Sequence, residues 1–353
     1  MRVISVVGAR PQFVKLAPIV KAAQRAGIDH ATVHTGQHYD DAMSGVFFDE
    51  LGIGAPEWNL EVGSGSHGAQ TGAMLAKLDE LFDRERPDWV LVYGDTNSTA
   101  AGALAAVKLH VPLAHLEAGL RSFNRAMPEE HNRVLTDHAA DLLLAPTDVA
   151  AGHLANEGLA ERTRVVGDVM VDVLLETADR SAEPGLTARL PTEPYVLATI
   201  HRAENTDDPN RLAAVIEALA SVDAPVVLPR HPRLRDRCAE AGISLEIGAL
   251  HPVDPFSYAE MVQATKASIA VATDSGGLQK EAFVLGRPVT TLRTETEWVE
   301  TLEDGWNVLL PDLHEISSVV LREAPDAERG TPYGTGDAAD RALSALTEAL
   351  VGD

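Results

Sequence analysis

The sequence predicts an α/β protein of open parallel sheets with helices on both faces, arranged as two Rossmann-like lobes facing each other across a cleft. Three observations carry this. Short β-branched runs alternate with helical patterns along the whole 353-residue chain, the βαβα order of a parallel sheet. Several strand runs are continuously apolar, as strands buried on both faces are. A polar, breaker-rich stretch, Asp179-Arg180-Ser181-Ala182-Glu183-Pro184-Gly185 with Pro191 and Pro194 beyond it, separates about six strands from at least four more.

In chain order, Arg2–Val7 is a short β-branched run that stops at Gly8, and Phe13–Ala26 follows with helical periodicity. His30–His34 is the next strand, and the helix Thr71–Glu85 leads to the apolar strand Trp89–Tyr93. Helix Ser98–Leu109 precedes strand Leu113–Leu116, helix Glu129–Ala139 precedes strand Leu142–Ala145, and strand Arg164–Val166 closes the first set. The second set has strands Tyr195–Ile200, Val226–Pro229, Ser268–Ala272 and Val289–Leu292, interleaved with helices Pro209–Leu219, Tyr258–Thr265 and Gly277–Leu285. Residues 1–178 and 179–338 are thus expected as the two domains. The tail Ala324–Asp337, rich in Gly, Pro and charge, reads as a surface loop, and Ala339–Leu350 as a final amphipathic helix.

Charge narrows the function classes. Against 29 Lys and Arg stand 53 Asp and Glu, a net charge of -24 that repels nucleic-acid phosphates and anionic membrane surfaces at long range. Solvated acidic helix faces account for such an excess, and an anionic substrate needs a local basic cluster. Cys238 is the single cysteine, so neither an intrachain disulfide nor a thiolate metal cluster forms. The opening residues read as strand and turn rather than a signal peptide, and no apolar run approaches the roughly 18 residues of a membrane helix. A soluble, cytoplasmic protein is expected.

Ligands of open α/β sheets bind beyond the carboxyl ends of strands, so the residues just after each strand matter most. Gly8-Ala9-Arg10-Pro11-Gln12-Phe13-Val14-Lys15 has no dinucleotide fingerprint but places Arg10 and Lys15 where an anion meets a helix start, or where they are simply exposed cations. Asp95, after the strand Trp89–Tyr93, is either a helix cap or a functional carboxylate. Glu117, where a strand leaves the sheet, needs a partner, and Arg121 is at hand for an ion pair. Glu129 and Glu130 follow Pro128 and suit a helix start. Asp95, Glu117 and Glu129 at one sheet rim would raise one another's pKa, which suits acid–base chemistry.

In the second lobe His201 and Arg202 follow a strand directly. Asp274-Ser275-Gly276-Gly277 passes from a strand into a helix, a turn whose glycines and free N–H groups suit a phosphate, with Glu281 placed to reach a ribose hydroxyl. His131 and His138, seven apart, are equally two exposed helix positions, and no metal site or serine-hydrolase elbow is expected.

The segments GARPQFVK, TGQHYD, YGDTNST, HLEAGLRS, PEEHNR, HRAEN and TDSGGLQKEA, in this order from Arg2 to about Leu310, resemble the non-hydrolysing UDP-N-acetylglucosamine 2-epimerase family. The resemblance implies a GT-B fold with a C-terminal helix, 339–353, returning to the first domain, and a homodimer. It implies inversion of C2 in a UDP-sugar substrate by loss and re-addition of UDP through 2-acetamidoglucal, without cofactor or metal. It assigns catalysis to Asp95, Glu117, Glu129 and His201. Substrate binding falls to Arg10, Lys15, the diphosphate turn Ser275, Gly276 and Gly277, the ribose ligand Glu281, and Tyr258 stacked on uracil.

Two departures qualify the match. Tyr39-Asp40-Asp41 stands where many bacterial members carry a basic residue of an activator site, so hyperbolic kinetics without UDP-N-acetylglucosamine activation are expected unless Arg202 or Arg233 compensates. Arg121–Pro128, His201–Pro209 and Thr296–Glu300 resemble a sister branch acting on UDP-2,3-diacetamido-2,3-dideoxy-glucuronic acid. That branch is the alternative substrate reading, and a GT-B glycosyltransferase is the alternative of another class.

Overall fold

The structure, a computed structural model, describes residues 1–37, 52–181 and 185–351. The chain divides into two compact units, Met1–Val173 with Pro332–Asp353, and Leu174–Thr331. Each is a parallel sheet covered by helices, the α/β architecture expected.

Among the described residues the first unit holds seven strands: β1 (Arg2–Val7), β2 (Asp29–His34), β3 (Trp58–Asn59), β4 (Trp89–Tyr93), β5 (Leu113–Leu116), β6 (Leu142–Ala145) and β7 (Thr163–Val165). Their order is β3-β2-β1-β4-β5-β6-β7, all parallel. Period-two alternation splits β1 between two cores. Val3 and Val7 join Phe13, Leu16 and Leu346 on one face, while Ile4 and Val6 join Met74, Leu78 and Phe82 on the other. The helix Ala338–Val351 completes the first of these cores, and its Leu346 carbonyl accepts from Trp89 Nε1 at 3.1 Å.

The second unit holds β8 (Val196–Thr199), β9 (Val226–Pro229), β10 (Leu250–Val253), β11 (Ala270–Thr273), β12 (Val289–Thr291) and β13 (Asn307–Leu309), in the parallel order β10-β9-β8-β11-β12-β13. Both orders reverse direction once, between β1 and β4 and between β8 and β11. Those are the switch points beyond which a ligand crevice opens.

Several elements differ from expectation. β10 was hidden because His251 and Pro252 interrupt it, and the sheet accepts that proline on an edge strand. β3 and β13 are two and three residues long, too short for a periodic signal. The helices Asp148–Asn156, Val169–Ala178, Pro232–Ala241 and Ile316–Val320 also went unread. The tail is not merely a surface loop: Tyr333 is 1% exposed, and its carbonyl accepts from the Asp168 amide at 2.8 Å.

Candidate active site

In the first unit the turn after β1 enters the helix Arg10–Ala26 with no side chain at its N-cap. Gln12 does that work instead. Its Oε1 accepts from the amides of Gly8 and Ala9 at 2.8 and 3.1 Å, and its Nε2 donates to the Tyr93 carbonyl at 2.8 Å. One buried amide thereby ties the β1 turn to the end of β4. Gly8 must be glycine, because a Cβ there would lie 2.0 Å from Thr35 Oγ1 and 2.2 Å from Ser98 Oγ. Arg10 sits exposed at this helix start, beyond the carboxyl end of β1.

Lys15, one turn further on, forms an ion pair with Glu117. Burial lowers the Lys15 pKa, but Glu117, then Asp168 and Asp95, more than offset this and hold the ammonium above its ordinary range. Asp95 does not cap its helix. Thr96 is the N-cap of Asn97–Lys108, and the Asp95 carboxylate pairs with Arg133. Nor does Glu117 pair with Arg121, whose guanidinium binds Asp137 at 2.7 Å and Glu157 at 2.8 Å. Gly94 packs directly on this cluster: a Cβ would lie 3.0 Å from Glu117 Oε2 and 3.5 Å from Lys15 Nζ.

Glu129 is half-buried in the first turn of the helix Pro128–Ala139. Its neighbour Glu130 is the buried one. It accepts from the Ser122 amide and hydroxyl and the Phe123 amide, and it meets Arg133 at 3.1 Å. Burial pushes the Glu130 carboxyl up, but the Ser122, Phe123 and Arg133 donors outweigh it and keep the group below the usual range. The expected carboxylate rim is therefore an alternating one. Lys15 stands with Glu117 and within electrostatic reach of Asp95, and Arg133 bridges Asp95 to Glu130. His131 and His138 are both exposed on the same helix.

In the second unit the buried Asp274 organises the switch point. It accepts from the amides of His201 and Arg202 at 3.1 and 3.0 Å, from Asn205 Nδ2 at 3.2 Å, and stands 3.3 Å from His201 Nδ1. Asp274 thus sits on the Nδ1 side of the His201 ring. Ser275 caps the helix Gly276–Val284, accepting from the Leu278 amide at 3.5 Å. A Cβ on Gly277 would meet nothing within 4 Å, so the amides of this first turn are open to close approach.

A cavity of about 320 Å³ opens here. Its lining includes His201, Tyr258, Ser275, Gly277 and Glu281, all named from the sequence. Phe256 and His231 also line it and were not foreseen. His231 lies 5.2 Å from the His201 ring, and burial, His201 and Arg233 depress its pKa against the opposing pull of Asp274. The lining thus combines aromatic side chains with a helix N-terminus, which suit the base and the phosphates of a nucleotide. A scan for acids directly after strands would have found Asp274, which follows Thr273.

Among the described residues no group of three or more His, Cys, Asp or Glu side chains is placed to hold a metal ion. None of their helices is long and apolar enough to cross a membrane. Tyr39, Asp40 and Asp41, named for the activator question, lie outside the described residues.

A family model described as UDP-N-acetylglucosamine 2-epimerase matches residues 21–347. The chain belongs to that family. This epimerase is 46% identical to the UDP-2,3-diacetamido-2,3-dideoxy-D-glucuronate 2-epimerase of Pseudomonas aeruginosa, over 99% of this chain and 100% of the relative. It is similar to the solved structure of UDP-GlcNAc 2-epimerase from Methanocaldococcus jannaschii, with TM-score 0.89 and 37% identity over 99% of this chain and 100% of that one. The same archaeal enzyme in complex with UDP-GlcNAc and UDP matches with TM-score 0.77 and 38% identity, at the same coverage. The two parallel-sheet domains of this epimerase are the GT-B-like fold of these structures.

Proposed function

We propose that this epimerase converts UDP-N-acetylglucosamine to UDP-N-acetylmannosamine by eliminating UDP and adding it back. The observation that carries the reading is the juxtaposition of Glu117, Lys15 and Asp95 at adjoining strand-end turns of the first unit. Acid–base groups are concentrated there, while the second unit offers a nucleotide-shaped cavity.

C2 of the sugar has no adjacent carbonyl in the ring, so its proton is not removed by simple enolisation. Loss of the C2 proton instead accompanies cleavage of the C1–O bond. The C–H electron pair forms the C1–C2 double bond of 2-acetamidoglucal, and the C1–O pair leaves with UDP. Re-addition of the diphosphate oxygen at C1, with a proton delivered to the opposite face of C2, gives the epimer. Asp95, Glu117 and Glu129 supply the proton donors and acceptors. Lys15, held charged by its carboxylates, and Arg10 support the departing diphosphate.

In the second unit the Ser275–Gly277 amides hold the diphosphate, and His201, with its Nδ1–H on Asp274, donates Nε2–H to it as an imidazolium. Glu281 takes a ribose hydroxyl, and Tyr258, with Phe256 beside it in the cavity, stacks on uracil. The assembly on this reading is a homodimer in the cytoplasm, which light scattering and fractionation test.

The second reading is epimerisation of UDP-2,3-diacetamido-2,3-dideoxy-glucuronic acid, favoured by the 46% identity to the Pseudomonas enzyme. Initial rates with each UDP-sugar, and no acceptor present, separate the two. UDP-N-acetylmannosamine formed at the higher kcat/KM supports the proposal, and turnover of the uronate alone supports the second reading. Transfer to an added acceptor without epimer formation overturns both in favour of a glycosyltransferase.

A further inference from the structure

The proposed chemistry leaves a buried histidine of the first unit without a task. His115 lies in β5 with no exposed surface. Its Nε2 is 2.7 Å from the Gly94 carbonyl oxygen, and its Nδ1 is 2.6 Å from Asp137 Oδ1. A carbonyl oxygen only accepts, so Nε2 carries a proton. Asp137 is the ionised partner. Burial pushes its carboxyl up, but the charges and hydrogen bonds of His115 and Arg121 outweigh burial and hold it below the usual range. Its Oδ2 already takes the Arg121 guanidinium at 2.7 Å and the Gly119 amide at 3.2 Å. Nδ1 therefore donates as well, and the ring carries both protons.

We infer that His115 is a positioning residue for the epimerisation, its ring clamping the Gly94–Asp95 turn to Asp137, which in turn holds the loop after Glu117. The inference rests on the function proposed above. The ring meets the end of β4 through Gly94 and the helix Pro128–Ala139 through Asp137, and Asp137 carries the link on to Gly119 and Arg121 of the loop after β5. One of the turns it joins is held in an unfavourable backbone conformation. Glu117 has φ 71°, a left-handed geometry that a glutamate rarely adopts, whereas Gly94 takes φ 61° without strain. Gly119, at φ 84°, has no room for a side chain, because a Cβ would lie 2.4 Å from the Ala150 carbonyl oxygen.

Such geometry persists only where surrounding bonds over-determine it. The groups facing this region are Glu117 on β5's own exit, Asp95 beyond β4, Lys15 from the helix Arg10–Ala26, Arg133 and Asp137 from Pro128–Ala139, and Arg121 with Glu157. Asp137 takes both His115 and Arg121, and Arg121 also meets the half-buried Glu157, which His138 faces from the same helix as Asp137. A neutral ring would strip one of its two acceptors of its donor in the interior.

The test is the ring spectrum of His115 in ¹⁵N-histidine-labelled full-length protein, assigned by loss of the signal in His115→Gln. The expected result is a ring that donates from both nitrogens, Nε2 to Gly94 and Nδ1 to Asp137. A ring with either nitrogen lacking its proton overturns the inference. Asp137→Asn should weaken the hold on Nδ1 and lower kcat by about 10- to 100-fold while KM changes less than about 3-fold, the pattern of a misplaced catalytic group. Native kcat in a folded Asp137→Asn enzyme equally overturns it, and if that variant does not fold, the wild-type spectrum decides. Failure of the function proposal looks different: the wild-type enzyme then shows no C2 exchange on either UDP-sugar.

Discussion

In the first unit charged side chains at and around the turns beyond β1, β4 and β5 answer one another: Lys15 with Glu117, Arg133 with Asp95 and Glu130, Arg121 with Asp137. In the second unit the turn beyond β11 presents a helix start, Phe256 and Tyr258 beyond β10 line the same cavity, and Asp274 holds the His201 and Arg202 amides in place. The same switch-point topology thus supports two chemistries. A charged, strained cluster is suited to moving protons, and a glycine-opened helix start beside an apolar wall is suited to holding a nucleotide. On the proposed reading, substitutions in the first unit damage turnover and those in the second damage UDP affinity, and each prediction probes that separation.

The largest effect is expected from Asp95→Asn, Glu117→Gln and Glu129→Gln. Each should slow turnover at least ~100-fold, the lower range for removing an acid–base group, with UDP affinity nearly unchanged by calorimetry. A variant that folds and keeps its native rate would show that its carboxylate serves only as an ion-pair partner. His201→Asn comes next, because it removes a donor to the leaving diphosphate. Elimination should slow about 10- to 100-fold in a single-turnover assay, and an unchanged rate would take His201 out of the chemistry.

The charged cluster and the nucleotide cavity were not equally legible in the sequence. Ser275, Gly277 and His201 could be named because each follows a strand or opens a helix, Glu281 from its place about one and a half turns on, and Tyr258 from the family resemblance; the structure gathers them around one cavity. Asp95 and Glu117 could be placed at strand ends for the same reason. Their partners could not. Arg121 is four residues from Glu117 and looked like its counter-ion, yet it turns into the interior toward Asp137, while Lys15 arrives from a helix 102 positions away. Spacing along a chain gives the address of a side chain but not its direction once the backbone takes φ 71° at Glu117. Likewise, β10 was concealed by its proline until the sheet showed it at an edge.

Smaller effects sharpen the contrast. Tyr258→Ala should weaken UDP binding by about 1–3 kcal/mol, the range for an aromatic stacked on a base, and leave kcat at saturation close to native. An equal loss in kcat would blur the division between the units. The smallest effect concerns stability. Burial raises the Asp172 carboxyl to about 6, assisted by Asp337 and Asp168, against the Ala339 and Ala338 amides that it caps. A folded pKa above the unfolded one means the fold holds that proton more tightly. This stabilisation is complete below about pH 3.9 and is lost as pH rises through about 6. Asp172→Asn should lack that loss, flattening the thermal-stability profile over this window by something on the order of 1 kcal/mol after allowance for solvent screening.

The most direct test of the central claim, that the first unit moves the C2 proton while the second holds UDP, is proton NMR of UDP-N-acetylglucosamine incubated with the enzyme in deuterium oxide, without acceptor. The account predicts that the C2 proton signal disappears as the epimer forms and that the product carries deuterium at C2. Epimer appearing with its C2 proton retained would contradict it.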